Sequence, residues 1–326
     1  MQKNGSTRRS VIAALAAPLV LPRVAFGQAE YPNKPVRVVV PYPPGGGADT
    51  TARILYQKLG EKMGQQFVID NRGGAGGTIG AAAVAKAAPD GYTILHDGTA
   101  HSVNPSLYPN LTYDTAKDFQ AVFLATLVTN FLLVNNAVPA KTVADVIAIG
   151  KATPAGLDWA SSGNGTVQHL AMEMFRQRTG IAINHVPYRG GGPALNDLIG
   201  GQVKYFFSNG AASIGHVRSG SLRAVAHSAR ERLKSLPDVP TVAETLPGFE
   251  AYEFNAVFVP TGTPVAIVQK LNAGLNDVIK QPDIVSRLDE LNLEAKANTP
   301  DECRAFIQAE MTKWAAVVKE GNIKLG

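Results

Sequence analysis

The 326-residue chain has one cysteine, Cys303, so it cannot form an intrachain disulfide. It does not need one, because roughly 300 residues can bury a large core. Its histidines, His96, His101, His169, His185, His216 and His227, never fall into His-Glu-x-x-His or a comparable ligand spacing, which removes the usual sign of a zinc site. No serine stands in Gly-x-Ser-x-Gly, so the common hydrolase nucleophile is missing. The glycines at 45–47 are not followed by Lys-Ser/Thr, which disfavours nucleotide hydrolysis. In Gly74-Ala75-Gly76-Gly77-Thr78-Ile79, an isoleucine stands where a dinucleotide fingerprint needs glycine or alanine. Beyond the first 27 residues no 18-residue apolar run occurs, and the mature chain is expected to be soluble. With no activated nucleophile, acid–base pair or metal cluster in view, no enzyme, cofactor or metal is expected.

At the N-terminus, Thr7-Arg8-Arg9-Ser10 leads into the apolar stretch Val11 to Leu21 and then Ala25-Phe26-Gly27. A basic region, a short apolar region and a small-residue cleavage site, in that order, read as an export signal covering residues 1–27. The apolar part is too short to cross a bilayer. Arg8-Arg9 also resembles a twin-arginine signal, and both export routes stay open. The expected destination is the periplasm. Lys3, Arg8, Arg9 and Arg23 leave with the signal and take no acid with them, so the formal charge falls from +5 to +1. The basic pI of the full chain thus gives no support to a nucleic-acid partner.

From Val36 onward, strand-like and helix-like segments alternate. Val36 to Val40 reads as a buried strand. Asp49 reads as the N-cap of a helix with Ala52, Leu55, Tyr56 and Leu59 on one face. Phe67 to Ile69, a glycine loop and an alanine-rich helix opening at Thr78 follow, then a turn at Pro89-Asp90-Gly91 and a strand from Tyr92. Leu157 to Ala160 precedes a helix capped by Thr166, with Val167, Leu170, Ala171 and Met174 facing inward. Asn184 to Pro187 precedes a helix with Pro193 in its first position. This pattern predicts an α/β protein with mainly parallel sheets in two domains. The β-rich stretch from Phe119 to Val134 is the expected crossover, Pro237 to Pro247 the return, and Pro264 to Lys319 helices on the first domain. The expected division is 28–125 with 246–326, and 126–245.

Three loops share one construction, a strand, a glycine-rich turn and a helix start: Tyr42 to Asp49, Ser161 to Thr166, and Tyr188 to Gly192. Helix starts offer unpaired N–H groups and a favourable dipole to an anion, and ligands of α/β sheets sit at strand carboxyl ends. One such loop is explained by tight turns alone, but three together point to a carboxylate site. Ser162, Thr166 and Tyr188 would add hydroxyls. His169, off the apolar face in the first turn after Thr166, reads as a hydrogen-bonding residue rather than a proton donor. Arg189 reads equally as a solvated rim or salt-bridge residue and as a ligand partner. Tyr42 either stacks on an aromatic ligand or packs beneath its loop.

Pro-Tyr-Pro-Pro-Gly-Gly-Gly-Ala-Asp (41–49), Asn-Arg-Gly-Gly-Ala-Gly-Gly-Thr-Ile-Gly (71–80), Asn-Pro-Ser-Leu-Tyr (104–108), Ala-Ser-Ser-Gly-Asn-Gly-Thr-Val-Gln-His-Leu (160–170), His-Val-Pro-Tyr-Arg-Gly (185–190) and Leu-Pro-Asp-Val-Pro-Thr-Val-Ala-Glu (236–244) occur in this order. Together they resemble the substrate-binding proteins of tripartite tricarboxylate transporters, the Bug family, over nearly the whole mature chain. The resemblance implies a two-domain, periplasmic-binding-protein-like type II fold with a ligand cleft between domains and hinge closure. It implies a small carboxylate ligand, with a dicarboxylate or an aromatic acid both open, and membrane permease subunits as partners of a monomeric receptor. The candidate ligand residues are Tyr42, Gly45, Gly46, Gly47, Asp49, Thr99, Ser102, Ser162, Gly165, Thr166, His169, Tyr188, Arg189, Gly190 and Ser208. Many members place an aspartate at the last position, and Ser208 weakens the case for an amino-acid ligand. A sensor feeding a signalling partner, or an enzyme on the same fold, are the alternatives.

Overall fold

The structure is a computed structural model describing residues 1–2 and 31–325, so the expected export signal, Met1 and Gln2 apart, lies outside the described residues. In the first lobe, β1 (Val36–Val40) lies between β2 (Phe67–Asn71) and β3 (Thr93–Gly98), parallel to both. Four of its five side chains are buried, as expected of a parallel strand covered on both faces. The helices α1 (Gly47–Met63), α2 (Thr78–Ala85) and α3 (Ala100–Leu107) follow these strands in turn. The predicted apolar face of α1 is buried through Ala52, Leu55, Tyr56 and Leu59.

β4 (Phe119–Val134) leaves this lobe, and α4 (Val143–Lys151), β5 (Leu157–Ser161), α5 (Val167–Thr179), β6 (Ile183–Pro187), α6 (Gly191–Gly200), β7 (Tyr205–Asn209), α7 (Gly210–Arg218) and β8 (Arg223–His227) build the second. β9 (Tyr252–Pro260) returns, followed by α8 (Val265–Val278), α9 (Pro282–Glu290) and α10 (Pro300–Gly321). The strands form one path, β2-β1-β3-β9-β4-β7-β5-β6, with β8 also on β4. β4 is shared: Phe119 to Thr129 pair with β9, whereas Asn130 to Val134 pair with β7, and Phe131 to Val134 also with β8. Within that second part the side chains alternate with the period of a strand, Phe131 and Leu133 entering one core cluster, Leu132 and Val134 the other.

The sheets are less parallel than the alternation of elements predicts. β1–β2, β1–β3, β5–β6 and β5–β7 are parallel, but every ladder involving β4 or β9 is antiparallel. The reason is topological: a chain that leaves one lobe and later returns runs in both directions through the shared strands. Two helix starts also differ from expectation. Gly46, not Asp49, caps α1, and Asp49 sits in the first turn. Pro193 lies third in α6, which begins at Gly191. Thr166 caps α5 as predicted.

The C-terminal helix does more than cover the first lobe. Cys303 and Ile307 join the first-lobe cluster with Leu95, Phe254 and Phe258. Trp314, Val317 and Val318 instead pack in the second-lobe cluster with Trp159 and Phe175. A 22-residue helix is about 33 Å long, enough to reach across both.

Candidate interlobe ligand cleft

Between the lobes lies a cleft of about 960 Å³. Four helix starts reach it: Gly46, Gly47 and Ala48 at α1, Thr99 and Ala100 at α3, Thr166, Val167 and Gln168 at α5, and Asn209, Ala211 and Ala212 around the start of α7. Two belong to each lobe. The first N–H groups of a helix have no intrahelical acceptor. α5 and α7 have side-chain caps, from Thr166 and Asn209, whereas α1 and α3 have none, so the first-lobe wall offers the more open set of backbone donors.

The first loop is fixed from below. The Asp49 carboxylate accepts from Gly45 N (2.9 Å), Arg53 Nε (2.9 Å) and Asn71 Nδ2 (3.0 Å), and Asn71 also donates to the Tyr42 carbonyl (3.1 Å). The hydrogen bond from Arg53, against the opposing effect of burial and with help from Gly45 and Asn71, holds the Asp49 carboxyl down at about 2. Asp49 is buried and does not line the cleft; it shapes the loop that does. Tyr42 donates its hydroxyl to Asp97 Oδ1 (2.8 Å), which also accepts from Gly98 N (2.8 Å), while Asp97 Oδ2 lies 3.2 Å from His101 Nδ1. Burial and the neighbouring Asp97 push the Tyr42 phenol well above its ordinary range. The hydroxyl is thus committed inward, and Tyr42 itself remains part of the cleft wall.

At α3, Thr99 Oγ1 accepts from Phe254 N (2.9 Å), tying that helix start to β9. Ser102 donates to the Thr99 carbonyl (2.8 Å) and is buried away from the cleft. In the second lobe, Thr166 Oγ1 donates to the Gly163 carbonyl (2.8 Å) and accepts from His169 N (3.4 Å). His169 Nδ1 accepts from Gly165 N (3.1 Å), and its ring stacks on His185 at 3.9 Å. Burial, and then His185, lower the His169 pKa to about 4, so the ring is neutral at neutral pH and acts as a loop support.

Tyr42, Gly45, Gly46, Gly47, Thr99, Gly165 and Thr166 therefore meet on one cleft. Ser162, Tyr188, Arg189 and Gly190 gather beside it at the ends of β5 and β6, where Gly190 N donates to the Ser162 carbonyl (3.1 Å) and Tyr188 donates its hydroxyl to Asp197 (2.7 Å). Arg189 is exposed there. Ser208 is buried in β7 opposite Phe131.

Reading the sequence missed Asn104, Asn164, Gln168, Asn209, Glu253 and Asn255, all of which line the cleft. Asn164 and Gln168 lay inside or beside a loop already singled out, and Asn209 ends a strand just before a helix. Glu253 had no local signal, because β9 enters the site from another part of the chain. Among the described residues lining the cleft none is Lys, Arg or His, and Glu253 is the one carboxyl side chain.

A family model described as the tripartite tricarboxylate transporter family receptor matches residues 51–323. The chain belongs to this receptor family. It is 39% identical to Protein BugT of Bordetella pertussis, covering 90% of this chain and 91% of BugT. Among solved structures, Rhodopseudomonas palustris Rpa4515 with adipate is 35% identical with a TM-score of 0.77, covering 91% of this chain and all of that one. MatC from the same organism, with bound malate, is 34% identical with a TM-score of 0.73 and covers 88% of this chain and all of its own. The family and these neighbours are solute-binding receptors, and the type II two-domain fold is theirs as well.

Proposed function

We propose that the chain is a periplasmic receptor that captures a small carboxylate between its lobes by hinge closure and hands it to tripartite permease subunits, without chemical change. The observation carrying this reading is the convergence of helix starts from both lobes on one cleft, since their N–H groups and dipoles favour an anion. Adipate and malate in two relatives support a carboxylate as the ligand class. The lobes are assigned to residues 28–125 with 246–326 and to 126–245. The exchange of β4 partners between Thr129 and Asn130 supports a crossing within a few residues of that boundary. Gly45, Gly46, Gly47, Thr99 and Thr166 are the proposed ligand contacts, and the Ser162, Tyr188, Arg189 and Gly190 cluster is assigned to the rim that approaches on closure.

A thermal-shift screen of the protein against carboxylates and their amides tests this. Ligand at 100 times its Kd stabilises the folded state by about 2.7 kcal/mol, a shift of a few degrees. Equal shifts from acid and amide, or chemical turnover of the acid, would falsify the reading.

A further inference from the structure

Glu253 stands in the wall of the cleft, on the strand that returns from the second lobe. Asn209 Nδ2 donates to its Oε1 at 3.0 Å, and Gln168 Nε2 donates to the same oxygen. Gln168 in turn is anchored by Asn130 Oδ1 at 3.0 Å. Both hydrogen bonds fall on one carboxylate oxygen, and among the described residues no ion pair includes Glu253. Burial pushes this carboxyl up, against the opposing pull of Asn209 and Gln168. Amide groups supply only partial charges, so among the described residues the ionised side chain has no full positive partner.

The other described residues of the cleft are neutral. Its remaining walls are glycine, proline, alanine, threonine, asparagine, glutamine, aliphatic and aromatic side chains, without lysine, arginine or histidine. A ligand with two carboxylates would bring two negative charges to a cleft whose own fixed charge is negative. A plain monocarboxylate could use the helix starts but would leave Glu253 buried opposite an apolar end, which is costly for an ion. A protonated amine supplies the missing charge and up to three donors.

We propose that Glu253 is the specificity determinant of this cleft, selecting a small carboxylate that also carries a protonated amine. The inference rests on the carboxylate-receptor reading and adds a second recognition point to it. The helix starts hold the carboxylate end, and Glu253, positioned by Asn209 and Gln168, holds the ammonium end.

The test uses sets matched in length: 4-aminobutanoate with pentanoate and glutarate, L-norvaline with pentanoate, and 6-aminohexanoate with heptanoate and heptanedioate. Each is titrated calorimetrically into the native protein and into Glu253→Gln. The native protein should prefer an amine-bearing acid by about 30- to 5,000-fold over its matched partner, the range that follows from removing one member of a buried charged pair. Glu253→Gln should abolish that preference, weakening the amine-bearing acid and binding the plain acid at least as well as the native protein does, because the cost of an unpaired carboxylate is gone. Its melting temperature should be no lower than native, which separates lost recognition from lost folding. Stronger binding of glutarate or pentanoate than of the amines, or a preference that survives in Glu253→Gln, overturns the proposal alone. Failure of every acid in the sets to bind overturns the receptor reading of the cleft and this inference with it.

Discussion

Replacing Gly47 with proline separates the ligand-binding role of the α1 start from its structural role. Gly47 is the first residue of the helix, where an N–H has no intrahelical acceptor, so proline removes a donor that the fold does not use. The preceding Gly46 already has φ −76° and ψ 170°, the extended conformation that a residue before proline requires. A Cβ at Gly47 meets no atom within 4 Å. Stability should therefore hold or rise by about 0.4–1 kcal/mol through the stiffer unfolded chain. A backbone donor to a carboxylate is worth about 1.5–3 kcal/mol, so affinity should fall about 10- to 150-fold. Gly47→Ala keeps the N–H and should bind within about threefold of native, which controls for the added Cβ. Calorimetry with a carboxylate identified by the thermal-shift screen reads the affinity, and denaturant melts read the stability. Native affinity in a stable Gly47→Pro variant would show that the α1 start does not hold the ligand. An unstable variant would refute the helix-start geometry itself.

Three further outcomes follow from the same contacts. Asp49, held at about 2 when folded and near 3.9 when unfolded, adds stability fully present above pH 4 and lost as pH falls toward 2. The contribution is at most about 2.6 kcal/mol and less where solvent screens the half-exposed Arg53; acid melts of Asp49→Asn should lack this step. Thr166→Ala should cost about 1 kcal/mol through the lost cap and also weaken ligand binding, whereas Tyr188→Phe should change affinity less, because its hydroxyl already serves Asp197; paired melts and titrations distinguish them. Trp314→Ala should cost about 3–5 kcal/mol in a denaturant melt, since this fully buried ring packs against the second lobe.

Local chemistry made much of the fold legible. The valine run at 36–40, the face formed by Ala52, Leu55, Tyr56 and Leu59, and the cap at Thr166 each carry their signal within a few residues. The crossover from Phe119 to Val134 was readable because its β-rich character is continuous. The first helix start was misplaced by three residues, because an aspartate that reaches back to Gly45 N looks in sequence like a cap. The site was legible where one loop supplied it, as at Gly45 to Gly47, and illegible where distant strands met. Glu253, Gln168 and Asn130 form one polar chain although residues 130 and 253 are far apart in sequence. The antiparallel ladders escaped notice for the same reason: direction in a shared strand depends on the path of the whole chain, not on its local pattern.

The shared strand and the bridging helix also bear on cooperativity. Cutting β4 between Thr129 and Asn130 would strip the second sheet of the strand that joins β7 to β8, and removing the end of α10 would take Trp314, Val317 and Val318 from its core. Neither lobe therefore owns a complete set of its stabilising contacts. The two cores form one thermodynamic unit, so heating should give a single calorimetric transition whose enthalpy equals its van't Hoff value, despite a length at which separate domains usually melt apart.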